Sequence, residues 1–326
     1  MTYPALSLIV PNHNHTEQLP RLFDSILAQS FKNLEVILVD DCSDQPCGPV
    51  VEAYRNKGLP ISLLEHKQRI YTLQARFAGI RAAKAQIIAF ADADDLLCGE
   101  DAMERNVALF LRHMPDILHF RFSVIDASGE FVGYGDRATD PRVQFAYEEE
   151  VFSLFALSSF YHIAPVWNKY YSRELCKKIT TIDRLCIKSY GEDLYFNTLC
   201  FYHAEKYAGS EVVGYGHSYD ADKLIEKSKG RAVKYYEIMN FMVKYLTDNN
   251  CKSLYKEQYH KSALRATALE AGRVCRDIYR KHDRELPSDI LENLLAYADE
   301  RTWMEILLLG NGYNAEKISK IYYDVI

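Results

Sequence analysis

Apolar runs and polar breaks divide the first hundred residues into a regular alternation. LSLIV (6–10) is a continuous apolar run that stops at Pro11, the pattern of a strand buried on both faces. In EQLPRLFDSILAQS, Leu19, Leu22, Phe23, Ile26 and Leu27 recur at helical spacing. LEVILVDD (34–41) predicts a second strand, ending in two aspartates and the turn-like CSDQPCG. A short helix through Val50, Val51 and Tyr54 follows, stopped by Gly58. ISLLE (61–65) predicts a third strand, TLQARFAGIRAAKA a third helix with Leu73, Phe77 and Ile80 inward, and QIIAFA (86–91) a fourth strand. The series β-α-β-α-β-α-β implies an α/β fold, a mostly parallel, Rossmann-like sheet flanked by helices.

From about residue 112 the rhythm changes. ILHFRFSVID (117–126) alternates like a half-exposed strand, with GEFVGYGD as its hairpin partner. EEEVFSLFALSSF reads as a helix, PVWNKYYSREL begins another element, GEDLYFNTLCFYHA (191–204) is helical, and VVGYGHSY is a last short strand. Beyond Lys223 the pattern is helical to the end, so the expected division is a catalytic domain at 1–222 and a helical C-terminal region at 223–326.

Composition narrows the function. The 326 residues are 48% hydrophobic and 26% charged, enough for a sizeable core. A net charge of -6 argues against a nucleic-acid partner, which selects a basic face. Eight cysteines without a Cys-x-x-Cys pair read as reduced, structural thiols and a cytoplasmic protein. The N-terminus lacks signal-peptide character, and no apolar run approaches the roughly 20 residues a membrane-spanning helix needs.

The chemistry concentrates at strand ends, where sheets of this type bind ligands. FADADD (90–95) puts Asp92, Asp94 and Asp95 beside one another, although like charges that close disfavour ionisation. A solvated acidic turn is one explanation. Mg²⁺ or Mn²⁺ is the other, since hard divalent cations take oxygen ligands from one or two carboxylates plus substrate phosphates. With Asp40 and Asp41 closing the neighbouring strand, the two acidic ends suggest a nucleoside-diphosphate pocket with its own metal.

The ordered set LIVPNHN, SILAQS, EVILVDDCSD, ARFAGIRAAKAQIIAFADADD, PVWNKYYSREL and GEDLYF, spanning roughly residues 5–220, resembles the family 2 glycosyltransferases, which have the GT-A fold. The resemblance implies that Pro11, Asn12 and His13 line the nucleotide base, that Asp41 hydrogen-bonds it, and that Asp40 braces the loop. For both aspartates the alternative is an Asx turn at the strand exit. It implies that Arg76 contacts the base or the diphosphate, where the residues alone suggest a solvated arginine. Asp94 would coordinate the metal and Asp92 the ribose and the metal, with Asp95 either a further ligand or an orienter of the loop. Asp193 would be the general base and Glu192 an acceptor contact. Without the resemblance, both are acids favoured by a helix N-terminus. Trp167 is either an acceptor-stacking ring or a core residue, and His217 either a metal ligand or structural. The family's A-R-N reads Ala75-Arg76-Phe77, and the glycine before the fourth strand is Ala85.

The activity so implied is inverting, metal-dependent transfer of a sugar from a nucleotide-sugar donor, UDP-linked, to a glycan or lipid-linked acceptor in a polysaccharide, lipopolysaccharide or glycolipid. The alternatives are a Mg²⁺-binding receiver-type signalling domain and an inactive sugar-nucleotide-binding scaffold. A nucleotidyltransferase would need a Gly-rich loop after the first strand, and PNHNHTEQL has none. Beyond 223, lysine-bearing stretches such as KLIEKSKGRAVKYY suit contact with anionic lipid at a membrane surface, and the helices also offer a homodimer surface.

Overall fold

The computed structural model describes residues 3–126, 128–134, 141, 144–157, 164–182, 187, 191–218 and 245–249. The chain divides into two compact units, Met1–Phe152 with Ala164–Tyr219 and Ser153–Ile163 with Asp220–Ile326; every candidate site residue lies in the first. Most of the helical region expected beyond 223 is outside the described residues, where only 245–249 are placed.

Four strands and three helices follow the alternation in order: β1 (Leu6–Asn12), α1 (Leu19–Leu27), β2 (Leu34–Asp41), α2 (Gly48–Asn56), β3 (Ile61–His66), α3 (Tyr71–Ala82) and β4 (Ile87–Phe90). β1 runs parallel to β2 and β4, and β2 parallel to β3. The second half adds β5 (Leu96–Leu97), α4 (Ala102–His113), β6 (Ile117–Ile125), β7 (Phe131–Tyr134), β8 (Phe145–Tyr147), α5 (Glu149–Leu157), β9 (Lys169–Ser172), α6 (Arg173–Ile182), α7 (Glu192–His203) and β10 (Lys206–Ser218). One mixed sheet results, in the order β3-β2-β1-β4-β9-β6-β10-β5, with β7 on β6 and β8 on β10.

Three differences from the sequence pattern bear on the site. β9 inserts antiparallel between β4 and β6, so β6 is covered on both sides and is almost wholly buried rather than half-exposed. β10 is a 13-residue strand, not a short one, and its register against β6 shifts between Ser210 and Val213 and again between Val213 and Tyr215. Such bulges bend a strand and re-aim its side chains; here Tyr215 and His217 lie over the acidic corner. The third difference is α4, which carries Met103, Asn106, Val107 and Phe110 inward at helical spacing, although the strand-rich text around it masks the signal.

α3 is the mount for the site. It packs on β1 and β2 on one side and against α6 and α7 on another, which explains why Leu73, Ala75, Arg76, Phe77, Gly79 and Ile80 are all buried and its amphipathic pattern is weak. Gly79 is required by close approach: a β-carbon there would overlap the Ile9 side chain at Cγ2. Among the described residues no helix is long and apolar enough to cross a membrane, and Cys42, Cys47, Cys98, Cys176 and Cys200 carry free thiols.

Candidate active site

At the end of β1 the side-chain amide of Asn12 donates to Asp40 Oδ1 at 3.2 Å, Ser43 Oγ at 3.1 Å and Cys47 Sγ at 3.2 Å. Asn12 is buried and ties two loops together from beneath. Pro11 and His13 remain partly exposed, and the His13 ring donates through Nδ1 to the Asp41 carbonyl at 2.7 Å. A carbonyl only accepts, so this contact sets the tautomer. Asp40 braces the loop through Asn12 and Ser43. Asp41, buried, accepts the backbone N–H groups of Ile70 and Tyr71, one on each carboxylate oxygen. It therefore anchors the entry to α3, where unpaired N–H groups and the helix dipole favour an anion.

The acidic loop after β4 is pinned to β10. The Tyr215 hydroxyl accepts the Asp92 N–H at 2.9 Å and donates to Asp95 Oδ2 at 2.7 Å. Asp95 also accepts from the Ser218 N–H at 2.6 Å and from His217 Nδ1 at 3.3 Å. With 1% of its surface exposed, Asp95 has spent its carboxylate on the protein. Of the two roles open to it, these contacts favour orienting the loop. Arg21 holds the same loop by donating to the Asp94 carbonyl. Asp92 and Asp94 remain half-buried, and the Asp94 carboxylate accepts no hydrogen bond from the described residues. Among those residues, no three His, Cys, Asp or Glu side chains converge to hold a metal ion by themselves.

Arg76 is not a solvated residue. Its side chain is 2% exposed, and its guanidinium donates from Nη2 to Asp92 Oδ1 at 3.2 Å and from Nη1 to Asp193 Oδ1. Burial opposes its charge, but Asp193, Asp92 and Glu192 outweigh burial and raise its pKa above the usual arginine value. Asp92 is raised from the ordinary carboxylate range, chiefly by burial; Arg76 opposes the shift while Asp95, Asp193 and Asp94 add to it. Asp193 and Glu192 form the first turn of α7, after Gly191 at φ 96°, a left-handed conformation glycine adopts without strain. Phe77 on α3 meets Phe196 on α7 with ring centroids 6.2 Å apart, so the two helices that carry Arg76 and Asp193 are packed together.

Trp167 is 5% exposed, parallel to the rings of Tyr215 (4.6 Å) and His217 (4.9 Å) and edge-on to Phe122. Of its two readings this burial favours the core one, and the ring supports the two β10 side chains that hold Asp95. His217 is raised above the usual histidine pKa; burial works against that shift and the Asp95 hydrogen bond overcomes it. Tyr215 escaped sequence analysis because nothing in GYGHSY distinguishes a tyrosine that supports a loop from one that fills a core.

Lys169, also missed, is fully buried and donates to the Pro165 carbonyl at 2.6 Å and to Asn168 Oδ1 at 2.9 Å. Asn197, one turn after Asp193 on α7, donates to the Ala164 and Pro165 carbonyls. Burial lowers the lysine to about 7, against the opposing charge of Asp193. Between about pH 7 and its ordinary value near 10.4 the unfolded chain holds a proton that the folded chain releases, so this group makes stability rise with pH across that window. Below pH 7 both states are protonated and its full cost persists. Urea unfolding of Lys169→Met should therefore give a wild-type-minus-variant stability that climbs between pH 7 and 9.5, by roughly 1 kcal/mol per pH unit. A flat difference would exclude a depressed lysine.

The model for "Glycosyl transferase family 2" matches residues 7–180, which contain β1 to β4 and the acidic corner. The chain belongs to glycosyltransferase family 2. This family 2 chain is 34% identical, over 110 residues, to the amylovoran biosynthesis glycosyltransferase AmsB of Erwinia amylovora, a match covering 33% of this chain and 36% of that protein. The match spans about a third of the length of such curated relatives. Among solved structures, S. aureus TarS 1–349 superposes with a TM-score of 0.64 at 18% identity, covering 96% of this chain and 82% of that one; TarS 1–349 has also been solved with UDP-GlcNAc. The mannosyltransferase PcManGT of Pyrobaculum calidifontis, solved with GDP-Man and Mn²⁺, superposes at 0.55 with 14% identity, covering 94% and 87%. These likenesses establish the GT-A fold for the family 2 chain, and the family match removes the receiver-domain alternative.

Proposed function

We propose that this chain transfers a sugar from a nucleotide-sugar donor, UDP-linked, to a hydroxyl group of a glycan or lipid-linked acceptor, with inversion at the sugar carbon. The observation that carries the proposal is the single buried guanidinium of Arg76 holding two carboxylates from different elements: Asp92 on the strand-end loop and Asp193 on α7. It puts a donor-side acid and a candidate base at one point. Solved TarS with UDP-GlcNAc supports the donor class. The names of AmsB, for amylovoran biosynthesis, and TarS, for poly(ribitol-phosphate), support a polymeric acceptor.

Pro11 and His13 would flank the nucleotide base, with Asp41 behind them steadying the α3 entry. The residues present fit Mn²⁺ or Mg²⁺: a half-exposed Asp94 carboxylate that no described residue occupies and the half-exposed Asp92 are hard oxygen donors, few enough to need a diphosphate to complete the shell. His217 has its Nδ1 side fixed by Asp95, an arrangement that orients an imidazole for ligation through its other nitrogen. A bound divalent ion would supply charge neutralisation to the departing diphosphate. Asp193, held by Arg76 through Oδ1, has Oδ2 for the proton of the acceptor hydroxyl. The hydroxyl oxygen then bonds to the sugar carbon as the carbon–diphosphate bond breaks on the opposite face, and the electron pair leaves with the diphosphate. One in-line displacement inverts the centre without a covalent enzyme intermediate. Glu192 beside the base would engage further acceptor hydroxyls.

A thermal-shift series with UDP, GDP and CMP, each with and without Mn²⁺, tests the assignment. UDP with Mn²⁺ at a hundredfold excess over its Kd should stabilise by about 2.7 kcal/mol, a rise of several degrees. UDP without the ion should shift the transition little. An equal response without metal, or none to any nucleotide, would overturn the proposal.

A further inference from the structure

We infer that Arg76 positions the base Asp193 and makes no contact with the donor; the inference rests on the proposed role of Asp193. Three observations carry it. The guanidinium is buried, and its two terminal nitrogens are committed, one to Asp193 and one to Asp92, while its Nε is buried without a partner. The Arg76 side chain is 2% exposed. Its mount is rigid: Asp41 pins the Ile70 and Tyr71 N–H groups at the start of α3, Gly79 seats the helix on Ile9, and Phe77 packs on Phe196. The guanidinium also lies over the Phe90 ring, 5.8 Å from its centroid, so it is supported from β4 as well. A planar fork so held fixes the direction of both carboxylates at once. It leaves Asp193 Oδ2 for the acceptor and sets the distance between the acid that faces the donor and the base that faces the acceptor. In-line attack depends on that distance.

Arg76→Lys keeps the charge but can reach only one carboxylate. Its affinity for UDP with Mn²⁺, by calorimetry, should weaken no further than that of Asp92→Asn, since Asp92 is the donor-side group that Arg76 holds. Release of UDP from UDP-GlcNAc and UDP-glucose at saturating donor, with water as acceptor, should fall at least thirtyfold. Weakening of UDP affinity beyond that of Asp92→Asn, or unchanged UDP release, would overturn the inference. The contact can also be read without turnover. In urea unfolding of Asp193→Asn, Arg76→Lys and the double variant, the effect of Asp193→Asn should shrink by at least half once Arg76 is lysine; additive midpoints would refute the contact. If Arg76→Lys does not fold, Asp193→Glu reads the same geometry: UDP release should drop at least tenfold with UDP affinity unchanged, and wild-type release would refute the need for positioning. Asp193→Asn separates the two claims. Full turnover in that variant removes the base itself, whereas an inactive Asp193→Asn beside an Arg76→Lys that loses only UDP affinity keeps the base and refutes the positioning.

Discussion

Asp193→Asn should lose sugar transfer by at least a thousandfold, if Asp193 is the base proposed above, while its affinity for UDP with Mn²⁺ should stay within threefold of wild type. Asparagine keeps the size of the side chain and an oxygen that Arg76 can still hold, but it cannot take a proton from the acceptor. General-base catalysis contributes about 10² to 10⁴ in rate, so loss near the upper end is the expected result. The substitution also removes one of two anions facing a buried cation. Asp193 is 26% exposed, so solvent screens part of that loss, and Asp92 still pairs with Arg76. A stability penalty on the order of 1–3 kcal/mol is expected, smaller than for a fully isolated buried charge. Activity must therefore be compared at a temperature well below both unfolding transitions. Full turnover in the folded variant would remove Asp193 from the mechanism.

Asp94→Asn has the second-largest expected effect, with the opposite signature. The Asp94 carboxylate accepts nothing from the described residues, so its loss should leave the unfolding transition within about 2 °C of wild type. The Mn²⁺-dependent part of UDP binding should weaken by at least tenfold, and transfer should fall with it, because an amide oxygen is a poorer ligand for a hard cation. Asp95→Asn supplies the contrast. Asp95 accepts from Tyr215, Ser218 and His217 while buried, and an amide cannot accept at every one of those points. That variant should lose about 1–3 kcal/mol of stability through an unmatched buried donor. An Asp94→Asn protein with unchanged metal dependence, or one that unfolds as readily as Asp95→Asn, would reverse the roles assigned to the two neighbours.

The adjacent pair shows where sequence analysis stops. FADADD marks three carboxylates at a strand end, and short-range text cannot say which are spent on the protein. Asp95 is decided by Tyr215, His217 and Ser218, 120 to 123 residues away along the chain. Trp167 is similar: its letters permit a sugar platform or a core ring, and its stacking against β10 makes it core. β9 joins the sheet antiparallel between β4 and β6, and no periodicity of its four residues predicts a neighbour.

Local chemistry did determine a great deal. Apolar runs that end in Pro11, in Asp40-Asp41 and in the FADADD loop, separated by helices of period 3.6, leave a largely parallel sheet with acidic strand ends as the arrangement that buries them. Side-chain periodicity is written in neighbouring residues, so the alternation of elements and the end of the sheet that carries the acids follow from the chain alone. The tertiary structure decided which charges meet. Arg76 reads as a surface arginine on its own helix. It becomes the partner of Asp92 and Asp193 because packing removes it from water, and a buried guanidinium must find carboxylates wherever the fold has placed them.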